Sequence, residues 1–361
     1  MLIAKLKCYG LDHNAVEFFR NYLHNRKQCC KINGSLGEWR QILAGVPQGS
    51  ILGPLLFNIF INDIFLFLKD TSLGNYADDS TLYAHDKNLQ TIISNLKQDF
   101  LKLSQWFHNN FMVLNPDKCH FMLLGVKENE QFDLLCNGTL LKNSSQEKIL
   151  GVTIDNKLSF DEHIRNICKT ANLKLNALLR ISRYLTQEQK KLISTSFIKS
   201  HFSYCPLIWM FCSKKSMKKI NSIHERSLRL LLNDYESTFD LLLEKSHEIS
   251  VHQNCINSLM IEVYKYLNGL SPDIMNEIFI LRKNSYNLRH FHLFQTENPR
   301  SSKFGLDAIA YRASQLWQQL PTEIREVPSL SIFKDKIKTW KCSNCPCRSC
   351  KVFIQNVGYI Q

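Results

Sequence analysis

Apolar and polar residues alternate differently in the two halves of the chain. In the first half, apolar positions at helical spacing predict helices over 14–23, with Asn14 as the N-cap, and over 88–109. Short apolar stretches between turn residues predict strands, and Asn33-Gly34 and Asn137-Gly138 are hairpin turn signals. The loop at 45–50 breaks secondary structure and precedes an apolar helix. The predicted strands cover 28–32, 38–43, two short segments within 73–83, 120–124, 131–135 and 149–154.

Beyond about residue 160 the pattern becomes helical. Apolar stripes at helical spacing predict helices that include 164–182, 187–200, 217–232, 253–267, 306–319 and 332–340. No internal repeat of fixed period is present, which disfavours a solenoid. The pattern as a whole predicts an α+β fold that continues into an all-helical region.

The composition is that of a globular protein without a membrane anchor. Of the 361 residues, 44% are hydrophobic and 21% are charged, which suffices for a sizeable core. The longest apolar stretch, 51–68, contains Gly53 and Asp63 and is a poor match to a spanning helix. Lys5 and Lys7 interrupt any early apolar run, so no signal peptide is expected. The 13 cysteines, an odd number, fit reduced thiols, and an intracellular protein is expected, in nucleus or cytoplasm.

Positive charge is concentrated in one segment. The chain has 45 Lys and Arg against 32 Asp and Glu, which gives a formal net charge of +13. Residues 160–234 hold 14 of the basic and 5 of the acidic residues, so nine of the thirteen net charges lie there. Such a field attracts polyanions, of which nucleic acid is the commonest. The alternative is a solvated helical face that only keeps the protein soluble.

The adjacent carboxylates of Asp78 and Asp79 are the first candidates for chemistry. They follow Tyr76 and Ala77 at a predicted turn between two strands, where neighbouring side chains can converge on one point. Paired hard oxygen ligands suit Mg²⁺, and phosphoryl-transfer enzymes use two such ions to hold the attacking and leaving oxygens. Taken alone, an Asp-Asp pair is more often a turn former than a metal site.

Three further segments accompany this pair in a fixed order. Gly-Val-Pro-Gln-Gly-Ser-Ile-Leu-Gly-Pro stands upstream at 45–54, and Leu-Asn-Pro-Asp-Lys-Cys at 114–119 and Ile-Leu-Gly-Val-Thr-Ile-Asp at 149–155 follow. In this order the segments resemble the later palm motifs of reverse transcriptases, in particular those of LINE-type (non-LTR) retrotransposons of the jockey-like group. The resemblance continues through short motifs at 286–289, 316–317, 320–321, 324–325 and 331–334, and so covers nearly the whole chain.

The resemblance implies roles for the matching palm residues. Asp78 and Asp79 would bind two catalytic Mg²⁺ ions, with Asp78 the more critical, and Lys118 would lie near the triphosphate. The residues implied to bind the nucleotide are Pro47, Gln48 and Gly49, and those implied to contact the primer are Tyr76, Ala77, Leu150 and Gly151. The implied reaction is RNA-templated DNA synthesis, in which a primer 3′-hydroxyl attacks the α-phosphate of a deoxynucleoside triphosphate. The implied partners are an RNA template, a DNA primer and deoxynucleoside triphosphates.

The basic helices beyond residue 160 resemble the thumb of these enzymes. Their cations would contact phosphates without reading sequence. The residues implied to bind nucleic acid are Lys214, Lys215, Lys218, Lys219, Arg226 and Arg229. The sequence thus predicts a palm over 1–155, a basic helical thumb over 156–235, a further helical region over 236–340 and a Cys-containing tail over 341–361.

Several matching residues also have purely structural alternatives. Gln48 and Ser50 could cap the helix that follows them. Lys118 could be a solvated surface lysine. Gly151 could serve only to let a strand pack closely.

The resemblance also implies a third metal-binding carboxylate, which this sequence is expected to lack. In the family it stands in a strand before the helix that residues 2–10 resemble, so the chain is expected to lack the fingers and that strand. Asp12 and Asp63 stand in the wrong places to replace it. The chain alone is therefore expected not to synthesise DNA at a useful rate. The alternative function is that of a non-catalytic nucleic-acid-binding remnant of a mobile element.

Four cysteines lie within nine residues near the C-terminus. Cys342, Cys345, Cys347 and Cys350 could together hold a tetrahedral Zn²⁺ ion. Only one residue separates the two pairs, which is awkward for four ligands on one ion, and a reduced flexible tail is the alternative. The histidines of the helical segments, His252 among them, are interpreted as structural or surface residues.

Overall fold

The structure, a computed structural model, describes residues 1–125, 132–281, 294, 308–345 and 347. It divides into two units, Met1–Ser144 and Ser145–Gln361. The first unit combines helices with small sheets, and the second is almost entirely helical. This confirms the α+β fold class, whereas the domain limits proposed from the sequence stay predictions.

The helices of the first unit agree with the apolar pattern. They are α1 (Leu2–Cys8), α2 (His13–Leu23), α3 (Leu52–Ile61) and α4 (Leu89–Asn109), with 3₁₀ turns at Asn62–Phe67 and Pro116–Lys118. The predicted N-cap of α2 at Asn14 is wrong, because the Asp12 carboxylate accepts the Ala15 N–H at 2.7 Å and caps the helix two residues earlier. A negatively charged cap at this end also interacts favourably with the helix dipole.

The strands of the first unit form two-stranded sheets. They are β1 (Lys27–Gln28), β2 (Lys31–Ile32), β3 (Ser35–Leu36), β4 (Arg40–Gln41), β5 (Ser72–Tyr76), β6 (Asp79–Tyr83), β7 (His120–Phe121), β8 (Leu135–Cys136), β9 (Thr139–Leu140) and β10 (Lys142–Asn143). Both Asn-Gly signals are confirmed, since Asn33-Gly34 joins β2 to β3 and Asn137-Gly138 joins β8 to β9, with positive φ at all four residues. The strand predicted over 120–124 ends at Phe121, where β7 pairs in parallel with β10. In the strand predicted over 131–135, only Leu135 is in a strand, β8. Residues 132–134 are in none, and residue 131 lies outside the described residues.

One hydrophobic cluster, which we call the palm cluster, holds the motif-bearing segments of the first unit together. Its buried members come from α3, the turn after it and α4. Its half-buried members come from α3, the chain before β5, the β5–β6 hairpin and the chain after α4. The buried members are Ile61, Ile64, Leu103, Trp106 and Phe107, and the half-buried ones include Phe57, Leu73, Leu82, Met112 and Leu114. Burial of these apolar side chains is the main favourable term for this part of the fold.

A buried carboxylate on α4 fixes the chain that leads into β5. One oxygen of Asp99 accepts the backbone N–H groups of Lys69, Asp70 and Thr71 at 2.9–3.1 Å and the Thr71 hydroxyl at 2.9 Å. Its other oxygen pairs with Lys102 at 2.7 Å. Burial alone raises the pKa of Asp99, but the hydrogen bonds from Lys102 and the backbone outweigh it, and the pKa lies well below its ordinary value.

The second unit begins with a hairpin rather than a single strand. The strand predicted over 149–154 is wrong, because β11 (Gln146–Ile149) and β12 (Val152–Asp155) pair antiparallel around Leu150 and Gly151. Both turn residues have positive φ, of 46° and 87°, which is the pattern of a type I′ turn. The turn at Leu150 and Gly151 was not predicted, because it lies within a continuous apolar run.

Eleven helices follow among the described residues of the second unit. They are α5 (Asp161–Ile181), α6 (Gln187–Ile193), α7 (Ser200–Ser203), α8 (Pro206–Trp209), α9 (Lys214–Leu232), α10 (Phe239–Ser246), α11 (Val251–Leu267), α12 (Met275–Ile278), α13 (Ile309–Gln318), α14 (Thr322–Arg325) and α15 (Leu330–Thr339). The helix predicted over 187–200 is interrupted by a π-helical turn at Ser194–Lys199, which connects α6 to α7. The other predicted helices agree to within three residues in their described parts.

The core of the second unit runs through α5, α9, α11, α13 and α15. Leu175, Ile220, Met260 and Leu316 are fully buried in it. Tyr264 of α11 stacks on Phe333 of α15 with ring centroids 4.3 Å apart, and its hydroxyl donates to the Val327 carbonyl at 2.7 Å. A buried tyrosine is stable there because its hydroxyl has a partner.

We predict that Asp99→Asn destabilises the first unit by about 1–3 kcal/mol. The substitution removes the anionic acceptor of the backbone N–H groups of residues 69–71 and of the Lys102 ammonium. Asp70→Asn, at an exposed neighbouring carboxylate, is the matched control and should change stability by less than about 0.5 kcal/mol. Urea unfolding measures both.

The same contacts predict a pH dependence. Because folding lowers the pKa of Asp99, its contribution is fully present above the unfolded pKa of about 3.9 and is lost as pH falls towards the folded pKa. The difference in stability between the wild type and Asp99→Asn should therefore shrink on acidification below that value. A difference that stays constant with pH would contradict the assignment.

Candidate functional site

The two adjacent carboxylates lie at the tip of the β5–β6 hairpin. Tyr76 and Asp79 form the last pair of the ladder, so Ala77 and Asp78 are the two central residues of the turn. Ala77 has a positive φ of 53°, a conformation that costs an alanine about 1 kcal/mol or more. Asp78 and Asp79 are exposed, and within the described part of the chain neither side chain forms an ion pair or hydrogen bond. Both carboxylates are therefore available to a cation.

The hairpin is attached to the first unit from one side only. Leu73 and Leu82, which are opposite each other in the ladder, pack against the palm cluster. Asp99 fixes residues 69–71 immediately before β5. The base of the hairpin is thus held by apolar packing and by a buried anion, while Tyr76 at the tip is 67% exposed.

The loop at 45–50 is held by a serine side chain. The Ser50 hydroxyl donates to the Pro47 carbonyl at 2.8 Å and accepts the Gly53 N–H at 2.9 Å. Gly53 is required here, because a Cβ would lie 2.7 Å from the Pro47 carbonyl oxygen. The Ser50 side chain therefore caps an N–H of the first turn of α3, as expected if its role is structural. The side chain of Gln48 is exposed and makes no hydrogen bond to any described residue, so it is accessible to a ligand.

Lys118 ends the 3₁₀ turn Pro116–Lys118 and is exposed. The turn is capped by Asn115, whose side chain accepts the Asp117 N–H at 3.0 Å. Leu114, at the start of the motif, packs in the palm cluster together with Leu73 of the hairpin. The lysine motif and the Asp motif are therefore supported by the same group of apolar side chains.

Leu150 and Gly151 lie in the second unit, at the β11–β12 turn. The Tyr204 hydroxyl donates to the Leu150 carbonyl, and a Cβ on Gly151 would lie 3.4 Å from the Tyr204 ring. Asp155, the last residue of this motif, accepts the backbone N–H groups of Ser159 and Phe160. Burial raises the pKa of Asp155, and these hydrogen bonds outweigh it and lower the pKa.

The acidic residues Asp12 and Asp63 serve structural roles. Asp12 caps α2, and Asp63 pairs with Lys5 at 2.7 Å. The Lys5 ammonium also donates to the Phe60 carbonyl and lies 4.9 Å from the centroid of the Trp106 ring. Each of these two carboxylates therefore has a structural partner in the first unit.

An open groove of about 550 Å³ between α5 and α9 concentrates positive charge. Its lining includes Arg165 and Lys169 of α5 and Lys215, Lys218 and Lys219 of α9. The α5 cations were not singled out from the sequence, although their spacing of four residues places them on one helix face. Cys168 lies at the floor, and burial raises its pKa to about 11, so the thiol adds no negative charge.

Polar contacts between α5 and α9 hold the two walls of this groove together. Asp161, at the start of α5, accepts hydrogen bonds from Ser213 and Ser216 at the start of α9. Farther along, Arg226 donates to the side-chain oxygens of Asn172 and Asn176.

The six cations predicted to bind nucleic acid differ in their surroundings. Lys214, Lys215, Lys218 and Lys219 are exposed and form no ion pair with any described residue. Arg226 makes the helix contacts described above, and Arg229 is half-buried and pairs with Glu225 at 2.6 Å. The four lysines are therefore the more accessible part of the predicted set.

A second group of potential ligands lies in the core of the second unit. His252 of α11 has its Nε2 atom 3.4 Å from both Cys345 Sγ and Cys347 Sγ, and all three side chains are buried. Cys342 is half-buried, and its thiol donates to Gln319 Oε1 at 3.4 Å. The sequence did not identify His252 as a metal ligand, because it lies 93 residues before Cys345 in the chain. Cys350, the fourth predicted ligand, lies outside the described residues.

Comparison with known proteins agrees with the arrangement of the first unit. Residues 2–154 match the family "Reverse transcriptase (RNA-dependent DNA polymerase)". The chain is 26% identical over 220 residues to the "RNA-directed DNA polymerase from mobile element jockey" of Drosophila melanogaster, an alignment that covers 58% of this chain and 24% of the relative. It is also 26% identical over 226 residues to the "Probable RNA-directed DNA polymerase from transposon BS" of the same fly, which covers 59% and 25%.

These relatives confirm the resemblance to jockey-like non-LTR elements. The chain spans about a quarter of the length of the relatives that it matches. None of the described helices is both long enough and apolar enough to cross a membrane.

Proposed function

We propose that the chain contributes the metal-binding hairpin and a phosphate-binding groove to RNA-templated DNA synthesis. The observation that carries this proposal is the exposure of Asp78 and Asp79 at one turn, inside a segment that matches the reverse transcriptase family. The side chain of an ordinary turn-forming aspartate hydrogen-bonds to nearby backbone. In the described residues, the side chains of Asp78 and Asp79 make no such bond.

Asp78 and Asp79 would hold two Mg²⁺ ions, because exposed carboxylate oxygens are the ligands that this ion prefers. The ions supply charge stabilisation for the attacking and leaving oxygens. The supporting feature in this chain is rigidity, since Asp99 and the palm cluster hold the base of the hairpin. A rigid base limits the reorganisation needed when charge develops at the reacting phosphate.

The remaining predicted residues would orient the substrates. Pro47, Gln48 and Gly49 would contact the nucleotide, and Lys118 would offset negative charge on the departing pyrophosphate. Tyr76 and Ala77 would lie against the primer terminus, and the turn at Leu150 and Gly151 would contact the primer backbone. Local support for these roles is that Gln48, Tyr76 and Lys118 have exposed side chains.

The α5–α9 groove would bind the phosphates of the template–primer duplex. It is lined by five cations, which suit contacts to phosphates rather than to base edges. Binding is therefore expected to depend on salt and to be nearly independent of sequence. The alternative function, a nucleic-acid-binding remnant without catalysis, would keep this groove and lack any role for Asp78 and Asp79.

We predict that DNA synthesis depends on both hairpin carboxylates. Because the matched relatives are about four times longer than the matched segment, the test uses this chain fused behind the segment that precedes the match in the jockey polymerase. The fusion should extend a DNA primer on an RNA template with Mg²⁺, and Asp78→Ala combined with Asp79→Ala should reduce the rate by at least about 100-fold.

The matched control for primer extension is Asp70→Asn, an exposed aspartate before the hairpin, which should leave the rate within about twofold of the unmodified fusion. Equal extension by the fusion with and without Asp78 and Asp79 would contradict the proposal. A fusion that binds template–primer but never extends it would favour the non-catalytic alternative.

We predict that Lys218→Glu combined with Lys219→Glu weakens binding to an RNA–DNA hybrid at least about tenfold. The magnitude of the slope of log affinity against log salt should fall by roughly 1.4–1.8, as expected for two lost phosphate contacts. The measurement is fluorescence anisotropy at several salt concentrations.

The matched control for binding is Lys190→Glu combined with Lys191→Glu. These two lysines are also adjacent on a helix, so the net charge changes by the same amount, but they do not line the groove. Equal weakening by both pairs would show that total charge, and not the groove, determines binding.

A further inference from the structure

We propose that the second unit holds a Zn²⁺ ion between His252 and the C-terminal cysteines Cys342, Cys345 and Cys347. This ligand set differs from the one suggested by the sequence, because it takes a histidine from α11 in place of Cys350. The proposal does not depend on polymerase activity, since its ligands lie in the second unit and Asp78 and Asp79 lie in the first.

The distances between the three buried ligand atoms suit a tetrahedral ion. His252 Nε2 lies 3.4 Å from each of the two sulfurs, and all three atoms lie within 4.8 Å of one another. Zinc bonds of about 2.3 Å to sulfur and about 2.0–2.1 Å to nitrogen at tetrahedral angles separate the ligand atoms by roughly 3.5–3.8 Å. The three side chains therefore need only small adjustments to coordinate one ion.

Cys342 supplies the fourth ligand. Its thiol donates to the Gln319 Oε1 atom just after α13 at 3.4 Å, and it precedes Cys345 by three residues. Cys342 is half-buried, and coordination requires its sulfur to turn from Gln319 towards the three buried ligand atoms. A set of three thiolates and one imidazole is typical of structural Zn²⁺ sites.

Two glutamines hold the cysteine segment against the helices independently of any ion. The Cys342 N–H donates to Gln253 Oε1 at 3.0 Å, and Gln253 Nε2 donates to the Trp340 carbonyl at 3.3 Å. Gln319 Nε2 donates to the Asn344 carbonyl at 2.9 Å. The backbone of the segment is thus fixed next to His252, which lowers the entropic cost of assembling the site.

The burial of the site argues for a structural role. Cys345 and Cys347 are 5% and 1% exposed and belong to the core of the second unit. The ion would displace the thiol protons of the three cysteines to solvent and would bind the neutral imidazole, so binding weakens as pH falls. It would connect α11 to a segment some 90 residues farther along the chain and so stabilise the second unit.

The first experiment measures zinc in the purified full chain by mass spectrometry after expression with Zn²⁺. About one ion per chain is expected. His252→Gln and Cys345→Ser should lose it, whereas Cys350→Ser should keep it. His247→Gln, at an exposed histidine, and Cys30→Ser, at an exposed cysteine, are the matched controls and should also keep it.

The second experiment protects the test against variants that fail to fold. X-ray absorption at the zinc edge of the wild-type chain should show three sulfur neighbours and one nitrogen neighbour, and removal of the ion with a chelator should lower the Tm of the second unit. Loss of zinc in Cys350→Ser with retention in His252→Gln, four sulfur neighbours, or a zinc-free chain with an unchanged Tm after Zn²⁺ addition would each overturn the proposal.

Discussion

The arrangement of the first unit depends on a carboxylate that is buried away from the candidate active site. The Asp99 carboxylate of α4 accepts hydrogen bonds from three backbone N–H groups, a hydroxyl and a lysine ammonium. These contacts fix the chain where it enters β5. A buried anion is stable only when its oxygens are satisfied, and this one is satisfied by the segment that it holds. The position of the hairpin is therefore coupled to the ionisation of Asp99.

The base of the hairpin is held by buried groups, whereas its tip is exposed. Leu73 and Leu82 anchor the base in the palm cluster, while Asp78 and Asp79 remain exposed at the turn. Ala77 is held at a positive φ, and its conformational cost is offset by the packing at the base. A two-ion reaction needs this combination, because the ligands must reach solvent-borne substrates without moving when charge develops.

The sequence predicted the elements whose signals are local. The hairpin at Asp79 and the turn at Asn33 were found because two short apolar runs surround turn residues. The turn at Leu150 was missed, because a leucine at positive φ inside an apolar run has no local signal apart from the glycine that follows it. Long-range contacts were also missed. His252 meets the C-terminal cysteines, and Asp99 meets residues 69–71, only through the tertiary fold, and no spacing in the sequence reports either contact.

The central claim is that the turn at Ala77 and Asp78 is a divalent-metal site, and metal-directed cleavage tests it most directly. When hydrogen peroxide and ascorbate are added, Fe²⁺ substituted for Mg²⁺ reduces the peroxide to hydroxyl radicals, which cut the backbone close to where the ion binds. The account predicts cuts centred on residues 76–79 that Mg²⁺ suppresses by competition and that are absent from Asp78→Ala combined with Asp79→Ala. Cuts that are the same in the double variant, or that avoid this turn altogether, would contradict it.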